Sequence, residues 1–252
     1  MKENNKYNEG FSKVYDIQGQ TAFSLRLFQN FMKYCDENRI KIKTHLDVAC
    51  GTGAFCFQMY DAGIETRGVD ISEEMLKIAE KKKEDRNIVF WQEDMTKYIS
   101  EKKYDLITCN YDAINHLLSF EEWEMFFQNC YQNLNDGGYL LFDFNTLENF
   151  TTFDNISYNI KNKNFDLVSV VAPINNYQAL FRFNYYILED DGYYSKLSQS
   201  IIESFFANKR VIDSLKKTNF KNIKLFDERF AKCTEKSDTY RIYVLCQKNF
   251  QL

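Results

Sequence analysis

The sequence contains little proline, little histidine and no long apolar run. Its 252 residues include one proline and two histidines. No stretch approaches the ~18–20 apolar residues that a membrane-spanning helix needs. The first ten residues are polar and lack the apolar core of a signal peptide. These absences argue against a membrane partner and predict a cytoplasmic location.

Positive charge is also scarce. Lys and Arg total 32 against 36 Asp and Glu, which gives a net charge of −4. Nucleic acids and anionic membranes usually require a basic surface, so this balance disfavours both as partners. The 44% hydrophobic and 27% charged residues are typical of a globular protein. The length fits one large domain or one domain with an insertion.

The cysteine pattern disfavours disulfides and metal. There are seven cysteines, an odd number, and none forms a CxxC pair. Cys50, Cys109, Cys130 and Cys246 lie in apolar runs. Buried free thiols in a reducing compartment are therefore the favoured interpretation, and we predict no metal site.

The most informative segment is residues 46–53, which read Leu-Asp-Val-Ala-Cys-Gly-Thr-Gly. A short apolar run carries Asp47 and then turns through Gly51 and Gly53 into a helical pattern. Nineteen residues after Gly51, a second apolar run ends in Asp70. A strand, a glycine turn, a helix and a second strand that ends in an acid are the parts of an adenosine-binding α/β site.

Strand and helix patterns alternate through the first 145 residues. Helices are predicted over 21–38, 53–62, from Ser72 onward, and over about 120–134. Strands are predicted over 44–49, 64–70, 88–92, 104–110 and 139–144, the last after a break at Gly137-Gly138. This alternation predicts a parallel sheet with helices on both faces.

The pattern changes near residue 150. Apolar and polar residues alternate with no clear helix, as in 177–188, which predicts antiparallel strands with Pro173 between two of them. A helix over 207–218 and strands over 222–228 and 239–247 then return to the main sheet. We predict one domain formed by 1–150 and 207–252, with 151–206 as an inserted antiparallel β lid.

The opening segment resembles the first motif of class I S-adenosylmethionine-dependent methyltransferases. Cys56 replaces the third glycine of a dinucleotide fingerprint, which disfavours a nicotinamide oxidoreductase. Ala49 stands where glycine is commoner in the family. Later segments resemble the family's further motifs in order: 68–76, 93–95, 104–109 and 134–138. Residues 112–117 are similar to a D-S-x-N-Y-L stretch of a bacterial small-molecule-type subgroup, which carries a β insertion after the fifth strand.

The resemblance implies a Rossmann-like, mostly parallel sheet of seven strands with an antiparallel last strand. It also implies S-adenosylmethionine as the cofactor. Backbone at Ala49–Gly53 would contact its methionine part, Asp70 its ribose hydroxyls and Asp94 its adenine amino group. Ile71 would pack on adenine, and Met95 would offer a backbone donor. The candidate cofactor-binding residues are Tyr15, Ala49, Gly51, Gly53, Asp70, Ile71, Met75, Asp94, Met95 and Cys109.

Candidate catalytic residues are His116, Tyr15 and Asp112. Methyl transfer is an in-line displacement in which alignment supplies much of the rate, so a base is needed only for a protonated acceptor. His116 titrates in the right range, although a packing role is an open alternative. Tyr15, with Tyr7, lies in a segment that in relatives often folds over the cofactor. Asp112 and Asp143 are candidates to hold a cationic amine.

Two further polar residues are interpreted as structural. Asp47 is expected to order the glycine turn and to tune the electrostatics near the sulfonium rather than to bind the cofactor directly. His45 precedes the apolar run at the far end of the sheet and is expected to play no part in the chemistry.

The sequence therefore predicts an S-adenosylmethionine-dependent methyltransferase that acts on a small-molecule N or O acceptor. It is expected to work as a monomer or homodimer, with nucleic acid disfavoured as substrate. The inserted sheet, rich in Phe, Tyr and Asn, is expected to roof the acceptor pocket. Two alternatives stay open: an RNA methyltransferase, and a non-catalytic cofactor-binding or partner-binding protein of the same fold.

Overall fold

The computed structural model describes residues 11–12, 15, 20–147, 150, 156–161 and 165–250. Tyr7 and parts of the predicted lid (151–155 and 162–164) lie outside these described residues. The helices are α1 (Gln20–Asn38), α2 (Ala54–Asp61), α3 (Glu73–Lys82), α4 (Phe120–Asn133) and α5 (Asn208–Lys217), with a 3-10 helix at Ala113–His116. The strands are β1 (Thr44–Val48), β2 (Glu65–Asp70), β3 (Val89–Gln92), β4 (Tyr104–Cys109), β5 (Leu134–Asn145), β6 (Ile156–Lys161), β7 (Phe165–Asn175), β8 (Gln178–Leu188), β9 (Tyr194–Ser204), β10 (Phe220–Phe226), β11 (Lys232–Cys233) and β12 (Arg241–Lys248).

The main sheet has the order β11-β10-β12-β5-β4-β1-β2-β3. Strands β1 to β5 pair in parallel, whereas β12 runs antiparallel to both of its neighbours, β5 and β10. Crossover helices join parallel strands, so their carboxyl ends meet at one edge of the sheet. The predicted Rossmann-like fold with an antiparallel last strand is confirmed.

Helices cover both faces of this sheet. On one face, Trp123, Phe126 and Phe127 of α4 are fully buried in the largest apolar cluster. On the other, Phe31 of α1 and Met59 of α2 lie in a second cluster. A sheet that is covered on both faces explains why β1 and β4 each bury four consecutive residues, 45–48 and 106–109, rather than every second one.

The remaining four strands form a separate antiparallel sheet in the order β6-β7-β8-β9. Two side-chain hydrogen bonds tie it to the segment after β4. The Asn115 amide donates to the Ser204 carbonyl over 2.8 Å, and the Gln178 amide donates to the Leu118 carbonyl over 2.9 Å. This sheet therefore lies on the edge of the main sheet at which β4 ends.

Three local predictions were wrong. Strand β5 begins at Leu134, before the two glycines rather than after them, and a register shift against β4 follows its first residue pair. Gly138 is needed inside the strand because a Cβ there would lie 2.9 Å from the Tyr104 carbonyl. Pro173 lies within β7, where it pairs with Ala179 of β8 and stands beyond the last described pairing with β6. The short β11 makes eight strands, one more than predicted.

All seven cysteines are free thiols, and six of them are buried. Among the helices that the structure describes, none is long and apolar enough to cross a membrane.

Candidate active site

Two adjoining cavities lie at the carboxyl ends of β1, β2 and β4, and we refer to them together as the strand-end cleft. Both are lined by Tyr15, Ala49, Asn110 and Tyr111. The first cavity is also lined by Ser24, Asp47, Cys50, Thr52, Ala54 and Phe55, and the second by Gly51, Asp70, Ile71, Ser72, Met95, Ala113 and His116. The edge of the sheet at which parallel strands end is where α/β folds bind their ligands.

The turn after β1 is held in a left-handed conformation. Ala49, Gly51 and Gly53 have φ angles of 57°, 55° and 83°. At Gly53 a Cβ would lie 2.8 Å from the Phe57 ring, so both the backbone angle and the packing require glycine. Ala49 adopts the same region with a side chain, at a cost of roughly 1–2 kcal/mol. Within the turn, the Cys50 N–H donates to the Val69 carbonyl and the Gly53 N–H donates to the Cys50 carbonyl, each over 3.0 Å, so these bonds hold the turn beside the cleft.

Asp70 joins this turn to β2. Its two carboxylate oxygens accept the N–H groups of Gly51 and Ser72, each over 2.8 Å. Burial raises the pKa of Asp70, and these backbone hydrogen bonds lower it in part. A carboxylate oxygen has two lone pairs, so each keeps capacity for a ligand hydroxyl. Next to it, Ile71 lines the cleft and is 39% exposed, which leaves part of an apolar side chain open to a ligand.

The third strand contributes Met95 rather than Asp94 to the lining. The Asp94 carboxylate accepts the N–H and hydroxyl of Thr96 over 2.8 and 2.7 Å. Burial raises the pKa of Asp94, but Thr96 and Lys97 outweigh it and the net shift is downward. Asp94 is therefore an ionised carboxylate that caps its own turn. Its second oxygen, Oδ2, lies 3.5 Å from Lys97 Nζ.

Besides Asp94, three candidate cofactor-binding residues line neither cavity: Gly53, Met75 and Cys109. Met75 is fully buried and packs in a cluster with Phe11 and Phe165. Cys109 is fully buried in the main core, and burial raises the pKa of its thiol. Side chains alternate between the two faces of a strand, so the next residue, Asn110, lines the cleft instead of Cys109.

Asn110 lines the cleft but is not among the candidate residues predicted from the sequence, although its segment follows a strand that ends there. It lines both cavities. Its side-chain nitrogen and oxygen are both buried, and neither has a hydrogen-bond partner in the part of the chain that the structure describes. Buried polar atoms are normally satisfied, so a fully unpaired amide at a cleft points to a ligand with donors and acceptors. Its position directly after an apolar strand is the sequence signal that could have found it.

Asp47 ends a buried hydrogen-bond chain beneath the turn. It accepts the Thr108 hydroxyl over 2.5 Å, and Thr108 lies 2.8 Å from His45 Nε2. Since Thr108 donates to Asp47, it accepts from His45, whose Nε2 carries the proton; Nδ1 has no partner among the described atoms. Burial lowers the pKa of His45 to about 3 and raises that of Asp47 to about 7. His45 is thus a neutral residue that orients Asp47, at one wall of the cleft.

Two of the three catalytic candidates line the cleft. Tyr15 lies over the turn, with its ring 3.8 Å from the place of a Cβ on Gly51. His116, in the 3-10 helix, lines the cavity that contains Asp70. Burial lowers the pKa of His116, partly opposed by the charge of Asp112, so the ring is neutral at pH 7. A neutral imidazole can accept a proton without first losing one.

Asp112, the third candidate, faces away from the cleft into a buried charged cluster. Its carboxylate accepts Arg241 over 3.0 Å and the Asn145 amide over 2.7 Å. Arg241 also donates to Asp143 over 2.6 Å, and Asn145 donates to Glu203 over 3.3 Å. Burial raises the pKa of Asp143 to about 6, partly opposed by Arg241, and raises that of Glu203 well above its usual range.

This cluster fixes the backbone beside the cleft. Tyr111 and Asp112 are consecutive non-glycine residues with φ angles of 62° and 51°. Asp143 accepts the N–H of Tyr111 over 2.6 Å and that of Asp112 over 2.9 Å. Such strained residues cost of order 1–3 kcal/mol each and persist only where their surroundings fix them. Asp143 and Arg241 supply that constraint. No local pattern in the sequence points to Arg241.

Comparison with known proteins agrees with this geometry. The family model described as "Methyltransferase domain" matches residues 46–138. A protein named as a methyltransferase in Geobacillus sp. (strain WCH70) is 34% identical over 140 residues, which are 54% of this chain and 56% of that protein. The dTDP-3-amino-3,6-dideoxy-alpha-D-glucopyranose N,N-dimethyltransferase of Streptomyces fradiae is 27% identical over 113 residues, 44% of each chain. The match therefore spans about half the length of these curated relatives.

A solved structure is similar over nearly the whole chain. The S-adenosylmethionine-dependent methyltransferase from Clostridium acetobutylicum ATCC 824 superposes with a TM-score of 0.85 and 22% identity. The superposition covers 95% of this chain and 99% of that one. At this identity the likeness establishes a shared fold, which includes both the main sheet and the four-stranded sheet.

Proposed function

We propose that the chain is a class I S-adenosylmethionine-dependent methyltransferase that methylates a small molecule, a proposal supported by the match of residues 46–138 to the methyltransferase domain model. The acceptor atom is a nitrogen or oxygen, and transfer is a direct in-line displacement. Bound in the strand-end cleft, S-adenosylmethionine would supply the methyl group.

One observation carries the proposal: a strained backbone turn, an anchored carboxylate and an unpaired buried amide all line the same cleft. The turn is Ala49–Gly53, the carboxylate is Asp70 and the amide is Asn110. These groups fit the cofactor's polar ends, because Asp70 can accept ribose hydroxyls and Asn110 can both donate and accept. Ile71, exposed beside Asp70, offers an apolar surface for adenine.

Asp47 and Tyr15 suit the positively charged end of the cofactor. Asp47 lines the cavity next to the turn, and its ionised form would stabilise a nearby cation. Tyr15 covers the turn and would exclude water from the reacting atoms. His116 lies in the adjoining cavity and is the group placed to take a proton from an acceptor that must lose one.

The acceptor is proposed to enter beside the four-stranded sheet, which we assign to the inserted lid at 151–206. The Streptomyces fradiae relative is named for an amino sugar, which supports a small organic acceptor. The net charge of −4 gives no support to an RNA substrate. We assign Asp112 to holding Arg241 rather than to holding an amine, because Arg241 already occupies its carboxylate. A cytoplasmic location fits these assignments.

Incubation with methyl-labelled S-adenosylmethionine and a cell extract separated into small-molecule, RNA and protein pools tests the proposal. We expect label in the small-molecule pool with the wild-type protein. No label is expected with Asp70→Ala, whereas Asp61→Ala, a surface change, should label as the wild type does. Label in the RNA pool alone would replace the proposal with an RNA methyltransferase. Label in no pool would favour a non-catalytic cofactor-binding protein.

A further inference from the structure

A separate cavity lies outside the strand-end cleft and shares no lining residue with it. Its volume is about 420 Å³, within the range of small-molecule sites. It is formed where the start of α4, the end of β9 and the start of α5 meet, and we call it the α4–α5 groove. Its walls include Phe120, Tyr177, Phe206 and Arg210, with Glu121 among the remaining lining residues.

The groove offers a flat aromatic surface. The Tyr177 ring stacks on Phe206 with ring centroids 5.9 Å apart and an angle of 25° between the planes. Phe120 packs edge-on against Phe206 at 5.0 Å. Tyr177 lines the groove and is 44% exposed. An exposed aromatic ring offers a surface on which a ligand ring stacks favourably.

A positioned guanidinium stands beside this surface. The Arg210 guanidinium lies 3.8 Å from the Phe120 ring centroid and 5.5 Å from that of Phe206, so two rings hold it in place. Among the described residues it makes no hydrogen bond or ion pair. Its neighbour Lys209, by contrast, pairs with Asp213. The N–H groups of Arg210 therefore remain available in the planar geometry that suits phosphate and carboxylate groups.

The start of α5 adds positive potential at the same place. Its first turn carries no acid, and its N-cap residue, Ala207, lines the groove and provides no side-chain cap. The amino end of a helix favours negative charge. Among the lining residues that the structure describes, Glu121 is the one acid, so the anion is expected on the Arg210 side. The Glu121 carboxylate can accept a ligand N–H or hydroxyl.

We infer that the α4–α5 groove binds a small ligand in which a planar ring carries one anionic group, with the ring on Tyr177 and the anion on Arg210. A nucleoside monophosphate and a hydroxybenzoate both have this chemistry. The site is independent of the proposed methyl transfer, since the strand-end cleft contributes nothing to it.

Trp123 provides a direct signal for occupancy. It is fully buried and packs against Phe120 and Phe206, with ring centroids 6.3 and 5.2 Å away. In a Trp91→Phe background it is the sole tryptophan. We would titrate this protein with UMP, 4-hydroxybenzoate, uridine and inorganic phosphate. Excess S-adenosylhomocysteine, present throughout, keeps nucleotides out of the cofactor cleft.

We expect a saturable change in Trp123 emission with UMP or 4-hydroxybenzoate, and the probe that saturates identifies the anion. Arg210→Gln should weaken that binding roughly tenfold or more, because a charge-assisted pair is lost. Lys216→Gln removes the same charge from the exposed side of α5 and should leave the binding unchanged. Tyr177→Ala should weaken it as well.

Three results would overturn the inference: no saturable change with either probe below about 5 mM, binding of uridine as tight as that of UMP, or unchanged affinity in Arg210→Gln. The melting-temperature shift with S-adenosylmethionine, measured on the same Arg210→Gln protein, should match that of the wild type. A failure of the groove is thereby distinguished from a failure of the proposed methyltransferase activity.

Discussion

Replacing Arg241 with methionine tests whether this guanidinium holds the wall of the strand-end cleft. The change leaves Asp112 and Asp143 without a cation, and Asp143 is fully buried. Removing one partner of a buried ion pair typically costs about 3–5 kcal/mol, because a buried charge is left uncompensated. A whole domain is stable by only about 5–15 kcal/mol, so Arg241→Met should lower the free energy of unfolding by roughly a fifth or more.

The free energy of unfolding that Arg241→Met loses should be smaller at low pH than at high pH. The folded-state pKa of Asp143 is about 6, above its ordinary value of 3.8, because burial favours the neutral acid. The stabilisation from protonating it is fully present below pH 3.8 and is lost as the pH rises through about 6. Without Arg241 that pKa rises further. The variant should therefore recover stability, relative to the wild type, as the medium is acidified.

Urea unfolding of the wild type, Arg241→Met and Arg241→Met/Asp143→Asn at about pH 8 and about pH 5 measures both effects. We expect a deficit of several kcal/mol for the single variant at the higher pH and a smaller one at the lower pH. The double variant should regain part of the deficit, since one uncompensated charge is gone. A deficit below about 1 kcal/mol, or one equal at both pH values, would refute the reasoning.

Three further predictions follow from the cleft. Ala49→Gly should raise the free energy of unfolding by about 1 kcal/mol by relieving the left-handed backbone; a loss in urea unfolding would contradict the φ of 57°. If His116 accepts a proton, His116→Phe should slow turnover by about 10²–10⁴-fold with unchanged cofactor affinity; full turnover would assign it to packing. Calorimetric titration of the wild type should show that cofactor affinity rises as Asp47 ionises through about pH 7. In Asp47→Asn the affinity should not change with pH over this range. Identical pH profiles in the two proteins would exclude a role of the Asp47 charge in binding the cofactor.

The fold was predictable where the signal is local. Helix α3 begins after Ser72, whose hydroxyl accepts the Met75 N–H over 3.3 Å, and both the cap and the apolar positions can be read in the sequence. The register shift near Gly138 and the position of Pro173 depend on which strand lies alongside, and β4 is some thirty residues away from Gly138. Such pairings leave no local trace.

The residues of the site likewise divide into those that a local pattern predicts and those that only the fold brings together. The turn at 49–53 follows β1, Asp70 is the last residue of β2, and His116 lies in the short helix after β4, so the order of strands in the sequence predicts that they lie at the strand ends. Cys109 and Asn110 show the limit, because one residue of strand phase decides which side chain faces the core. Arg241 joins Asp112 across 129 residues of sequence, so only the folded sheet could reveal the pair.

The most direct test of the account is the melting temperature of the protein with S-adenosylmethionine and, separately, with NAD. We expect S-adenosylmethionine to raise the melting temperature of the wild type and of the surface control Asp61→Ala, and NAD to leave both unchanged. Asp70→Ala, with Asp70→Asn as the variant of conserved shape, should lose the shift, because the carboxylate that accepts the ribose hydroxyls is gone. A shift with NAD alone, or a full S-adenosylmethionine shift in both Asp70 variants, would contradict the assignment of this cleft.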